Sequence, residues 1–125
     1  MEREKMHYKR DEAFRYSFNE PVPAEFSIYL KNSDRPGTGT GDSKLLDISP
    51  GGTRMETFFD IPVNRDEVAL RLRFNIFQRP IETDGVMVWK ERVGTGWMYG
   101  IDFDENASVA KAIVDDLKLR RQAER

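Results

Sequence analysis

From Val68 to Phe77 the apolar residues Val68, Leu70, Leu72, Phe74 and Ile76 fall on every second position, with Ala69, Arg71, Arg73, Asn75 and Phe77 between them. Alternation sustained over about ten residues fits a β-strand, in which successive side chains point to opposite faces, and does not fit an amphipathic helix. A sheet with one buried and one wet face follows. The same period recurs at Phe14, Tyr16 and Phe18, which aims Arg15 at the face opposite the aromatics. Beyond Pro21 and Pro23 it returns in a second strand at Phe26, Ile28 and Leu30, and near the end of the chain at Trp97, Tyr99, Ile101 and Phe103. There Gly100 lies on the opposite face, where a small residue admits a neighbouring element or ligand. Residues 32–42 read as a loop. Leu45, Leu46 and Ile48 end another strand, Pro50, Gly51 and Gly52 break it, and a run from Thr53 to Phe59 restarts it. Short strands joined by turn signals predict a mainly β fold, an antiparallel barrel whose closure hides its edges.

After Phe103 the period lengthens. Val109, Ile113 and Leu117, with Ala110 and Val114 beside them, form an apolar stripe at helical spacing. Asp104 or Asn106 suits the N-cap, and Lys118, Arg120 and Arg121 suit the last turn. The spacing predicts a C-terminal helix over residues 105–122, packed on the barrel or across one of its mouths. No internal repeat or linker divides the chain, so residues 12–125 read as one domain behind a polar, flexible segment, residues 1–11. A chain of 125 residues is long enough for one compact core.

Charge narrows the function. The 20 basic residues nearly balance the 22 acidic ones, which gives no field for bulk binding of DNA or RNA. Any work on anions falls to particular arginines. With no cysteine there is neither a disulfide nor thiolate chemistry. The charged start, Met1 to His7, excludes a secretory apolar segment, and no run approaches the roughly 20 apolar residues of a membrane span, so the expected location is cytoplasmic without membrane insertion.

Against that background the stretch Asp47-Ile48-Ser49-Pro50-Gly51-Gly52, with Arg10 and Arg15 upstream, stands out. Asp47 can accept from the N–H groups of a guanine edge, Ser49 can donate to a phosphate oxygen, and glycines let a ligand lie against the backbone. Arginine forks bond bidentately to phosphate or to the guanine O6/N7 edge and stack on bases. The combination suits an anionic purine ligand. Other candidates carry less. Pro36 to Gly41 is glycine-rich, but no Gly-Lys-Ser/Thr follows, so it reads as a strand connection. Asp102, Asp104, Asn106 and Ser108 begin like a calcium loop, yet Ala107 and Ile113 occupy the positions of the required Gly and Glu, so they read as helix-start residues. His7 has no companions for a metal site or a catalytic pair. Trp89, Trp97 and Tyr99 read as core more readily than as a stacking platform, and Arg71 and Arg73 as solvated charge.

On these residues the chain resembles the PilZ domain family of bacterial cyclic di-GMP receptors. The family pattern is Arg-x-x-x-Arg followed, tens of residues later, by Asp/Asn-x-Ser-x-x-Gly, and Asp47, Ser49 and Gly52 match the second element in full. Gly85-Val86-Met87-Val88-Trp89 and then Tyr99-Gly100-Ile101-Asp102-Phe103 are similar to the family's later strands, and the likeness runs from about residue 9 to residue 120. Arg15 matches the first element, but its partner position holds Asp11; Arg10 matches the outer member of the arginine doublet that many members carry. The resemblance implies a six- to seven-stranded antiparallel barrel with a C-terminal helix and no enzymatic activity or cofactor. It also implies that Arg10 and Arg15 clamp phosphates and guanine edges against a wall of Asp47, Ser49 and Gly52, with residues 1–11 ordering over the ligand. The resulting surface change would then reach a protein target in motility, attachment or exopolysaccharide control. The alternative is an adapter of the same fold that no longer reads the nucleotide, with Asp11 as its mark.

Overall fold

The structure is a computed structural model that describes residues 15–30, 39–64 and 67–124. Within them, β1 (Tyr16–Leu30), β2 (Gly39–Ser49), β3 (Gly52–Thr57), β4 (Val68–Asn75), β5 (Pro80–Val93) and β6 (Gly96–Phe103) precede the helix α1 (Ala107–Ala123). The strands pair antiparallel throughout and close into a barrel in the order β1-β2-β3-β6-β5-β4. The expected barrel with a C-terminal helix is therefore the observed fold.

The alternation in β4 explains the wall. Val68, Leu70, Leu72 and Phe74 are buried, while Arg71, Arg73 and Asn75 are exposed. On the wet face Arg71 meets Asp84 across the β4–β5 pair at 2.8 Å, and Arg73 bonds Glu25 on β1 and Glu82 on β5. Exposed pairs of this kind contribute about 0–1 kcal/mol, against about 1.5–3 kcal/mol for each large apolar side chain taken out of water. The inward row with Phe26, Leu45, Ile48, Met55 and Tyr99 holds the barrel together.

Several boundaries differ from the sequence expectation. The two strands anticipated on either side of Pro21 and Pro23 are one strand, β1. Its pairing with β2 shifts between Ser17 and Val22, where Pro21 falls, and its pairing with β4 begins only at Ala24, so Pro23, in register with Lys44 of β2, meets no β4 ladder. Gly39 to Asp42, expected in the loop, belong to β2. A Cβ on Gly41 would come within 2.7 Å of the rings of both Phe26 and Phe59, so glycine here lets two aromatics close on the strand. At the other end, β3 stops at Thr57 rather than Phe59. The chain is drawn away by Tyr99, whose hydroxyl donates to the Phe59 carbonyl at 2.7 Å and accepts from the Ile61 N–H at 2.8 Å.

The helix begins at Ala107 with Asn106 as its cap, the Asn106 side chain accepting from the Val109 N–H at 3.0 Å. Ile113 and Leu117 enter the core. Asp116, 1% exposed, accepts from the N–H groups of Phe77 and Gln78 at 3.0 and 3.1 Å. Arg120 donates to the Ile76 carbonyl at 2.8 Å and lies over the Phe18 ring. The helix is thus fastened to the β4–β5 turn by polar bonds that its apolar stripe does not reveal.

Candidate functional site

The site is a row of residues across the outer face of the barrel. In register, Ser17 of β1 faces Asp47 of β2, Asp47 faces Arg54 of β3, Arg54 faces Gly100 of β6, and Gly100 faces Trp89 of β5. Two β-bulges create this row. Leu46 is an extra residue in the β2–β3 pairing and Val88 in the β5–β6 pairing. Each reverses the alternation after it. Leu45 and Met87 point into the core, and strict period two would send Asp47 and Trp89 after them; the bulges turn both toward the outer face.

Trp89 lies where a side chain on residue 100 would stand. A Cβ built on Gly100 would fall 2.0 Å from the indole Nε1. The ring rests on the bare backbone of β6 with 38% of the residue exposed. Trp97 and Tyr99 differ from it: Tyr99 is fully buried, and Trp97 is half-buried beneath Lys90, whose Nζ is 4.3 Å from the ring centre. The expectation that these aromatics are core holds for Tyr99 and fails for Trp89.

Asp47 organises the cations. Its Oδ1 accepts from Arg15 Nη1 at 3.1 Å and from the Arg54 backbone N–H at 3.2 Å, and its Oδ2 accepts from Arg54 Nε at 2.7 Å. The carboxylate is 3% exposed, while the arginine side chains are 36% and 44% exposed. A buried carboxylate is tolerated because three donors satisfy it. Both guanidinium groups therefore stand at the surface, anchored at one edge.

These residues border a cleft of about 430 Å³, completed by Gly52, Thr53, Val88, Ile101 and Asp102. A hollow of similar size, about 460 Å³, lies beside Phe58 and the β5–β6 turn. Among the described residues it carries Lys44 as its only cation, with Asp42 and Glu56 on its rim, so an anionic ligand favours the first.

Of the residues singled out from sequence, the fold brings Arg15, Asp47 and Gly52 to this one cleft. Ser49 is fully buried in the adjoining turn, where its hydroxyl accepts from the Gly51 N–H at 3.3 Å. Gly52 is required by the wall itself, because a Cβ there would come 2.4 Å from the Ile101 carbonyl oxygen. Arg10 and Asp11 lie outside the described residues. Arg54 was not among the expected site residues. Its signal was present, since it stands two positions after Gly52 and alternates with the inward Thr53 and Met55.

The family model of the PilZ domain matches residues 5–118. The chain belongs to the PilZ domain family, a class of cyclic di-GMP receptors. A search of curated proteins gave no significant match. Among the described residues no helix is long and apolar enough to cross a membrane.

Proposed function

We propose that this chain binds cyclic di-GMP in the cleft around Asp47 and passes the binding event to a protein target as a change of surface. The observation that carries this reading is the meeting of Arg15 and Asp47 at 3.1 Å on the rim of a cleft floored by Trp89. Residues 32 positions apart bring a phosphate-binding fork and a purine-edge acceptor to one place. Trp89 offers a flat face on which a guanine stacks, worth about 1–3 kcal/mol per base. Asp47 exchanges its Arg15 partner for the N–H groups of the guanine edge, and the released fork takes a phosphate. Arg10 adds a further fork, and Ser49 and Gly52 keep the turn in the shape that presents Asp47. A signal follows only if the ligand prefers the form in which residues 1–11 close over it.

Calorimetric titration with cyclic di-GMP tests the reading. Arg15→Ala removes most of the binding, and Asp11→Arg, which completes the family's arginine pair, tightens it. If neither the native chain nor Asp11→Arg takes up the nucleotide, the receptor reading is wrong. Uptake by Asp11→Arg alone marks the native chain as an adapter of the same fold that has stopped reading the ligand, which is what Asp11 favours.

A further inference from the structure

We propose that Arg54 supplies the phosphate-binding guanidinium that Asp11 withholds, so that this chain holds its nucleotide between Arg15 and a fork on β3. The inference rests on the cyclic di-GMP reading and deepens it. Arg54 is built into the wall, with Asp47 and Gly100 as its register partners on the two neighbouring strands. Its Nε is tied to Asp47 at 2.7 Å, and its two terminal nitrogens have no partner among the described residues. A fork fastened by one edge to a buried carboxylate is pre-oriented, so little rotamer freedom is lost when its remaining donors meet a phosphate.

Charge points the same way. Among the described residues, the ionisable side chains bordering the cleft are Arg15, Arg54, Asp47 and Asp102, two of each sign. Without Arg54 these described residues carry one net negative charge, which opposes a ligand bearing two phosphates. With it they are neutral and two forks flank one carboxylate. Position also fits. Trp89 occupies the space above Gly100, directly across the β3–β6 pair from Arg54, so a base on the indole lies about one interstrand spacing, roughly 4.8 Å, from the strand that carries the fork.

The test is a cycle of variants titrated calorimetrically with cyclic di-GMP. Arg54→Ala weakens binding about ten- to a hundred-fold, the range for loss of a charge-assisted hydrogen bond. Arg54→Lys keeps the charge without the fork and recovers part of the loss. Asp11→Arg in the Arg54→Ala background restores affinity to within a few-fold of the native chain, because the missing guanidinium is returned. A merely structural contribution of Arg54 through Asp47 is not rescued at position 11, so a weak and unrescued Arg54→Ala overturns the inference. Native affinity in Arg54→Ala overturns it too, while leaving the receptor reading intact. Failure of the native chain to bind overturns both.

Discussion

Gly100→Ala separates folding from recognition. The added methyl would lie 2.0 Å from Trp89 Nε1, 2.2 Å from Cε2 and 2.6 Å from Cδ1. Ordinary contact needs about 3.5 Å, so the indole must retreat by roughly 1.5 Å. It can do so at small expense to the fold, because Trp89 is 38% exposed and its ring has solvent beside it. Replacing glycine in a strand also gains about 0.4–1 kcal/mol from the unfolded state. The net stability change should stay within about 1 kcal/mol, a melting shift of a few degrees for a chain of this size. Recognition should suffer more, because a base stacked on a correctly placed aromatic is worth about 1–3 kcal/mol. Calorimetric titration with cyclic di-GMP should therefore show a loss of about five- to a hundred-fold. Trp89→Ala should lose a similar amount, and the double variant should be no worse than Trp89→Ala, since the alanine acts only through the ring. Native affinity in Gly100→Ala, or losses that add in the double variant, would refute the placement of the ligand on Trp89.

Two further outcomes concern stability. Asp116→Ala leaves the N–H groups of Phe77 and Gln78 without their carboxylate and should destabilise the fold by about 1.5–3 kcal/mol in denaturant titration; it borders no part of the cleft, so nucleotide affinity should stand. Tyr99→Phe strands the Ile61 N–H and should cost about 1–3 kcal/mol at neutral pH. Burial raises the Tyr99 hydroxyl above its ordinary value of 10.0, so its share of stability is complete below pH 10 and is lost as pH climbs through the raised value. Stability in Tyr99→Phe should accordingly fall less between neutral and strongly alkaline pH than in the native chain, and an equal fall would count against the assignment.

Much of the fold was legible because it rests on one simple rule. The alternation in β4 and β6 and the lengthened period after Phe103 fixed the barrel and the helix without any coordinates. Arg15 and Asp47 were legible as a pair through the chemistry of their side chains. What escaped were the places where the rule is broken. Trp89 shares its parity with Met87, and only the extra residue Val88 turns it outward; no side chain announces that slip. Pro21 and Pro23 read as breaks, yet the strand runs through them because its partners are staggered there. Asp116 reads as a polar residue among charged neighbours, and its burial depends on a turn 38 and 39 positions away. Local pattern determines which way a residue points, whereas these three depend on what a distant strand or turn happens to offer.

If the cleft takes cyclic di-GMP as proposed, the triple anchoring of Asp47 has a consequence for selectivity. Inorganic phosphate, nucleoside triphosphates and acidic metabolites all compete for arginine forks. An anion that draws away Arg15 or Arg54 leaves behind a carboxylate that is 3% exposed and short of donors. Such a ligand must break one ion pair to form another and gains little. Only a molecule that carries N–H donors beside its phosphates can settle both sides of the exchange at once. On the proposed reading the carboxylate would act as a sieve against abundant simple anions, admitting purines by their edges before their charge is counted.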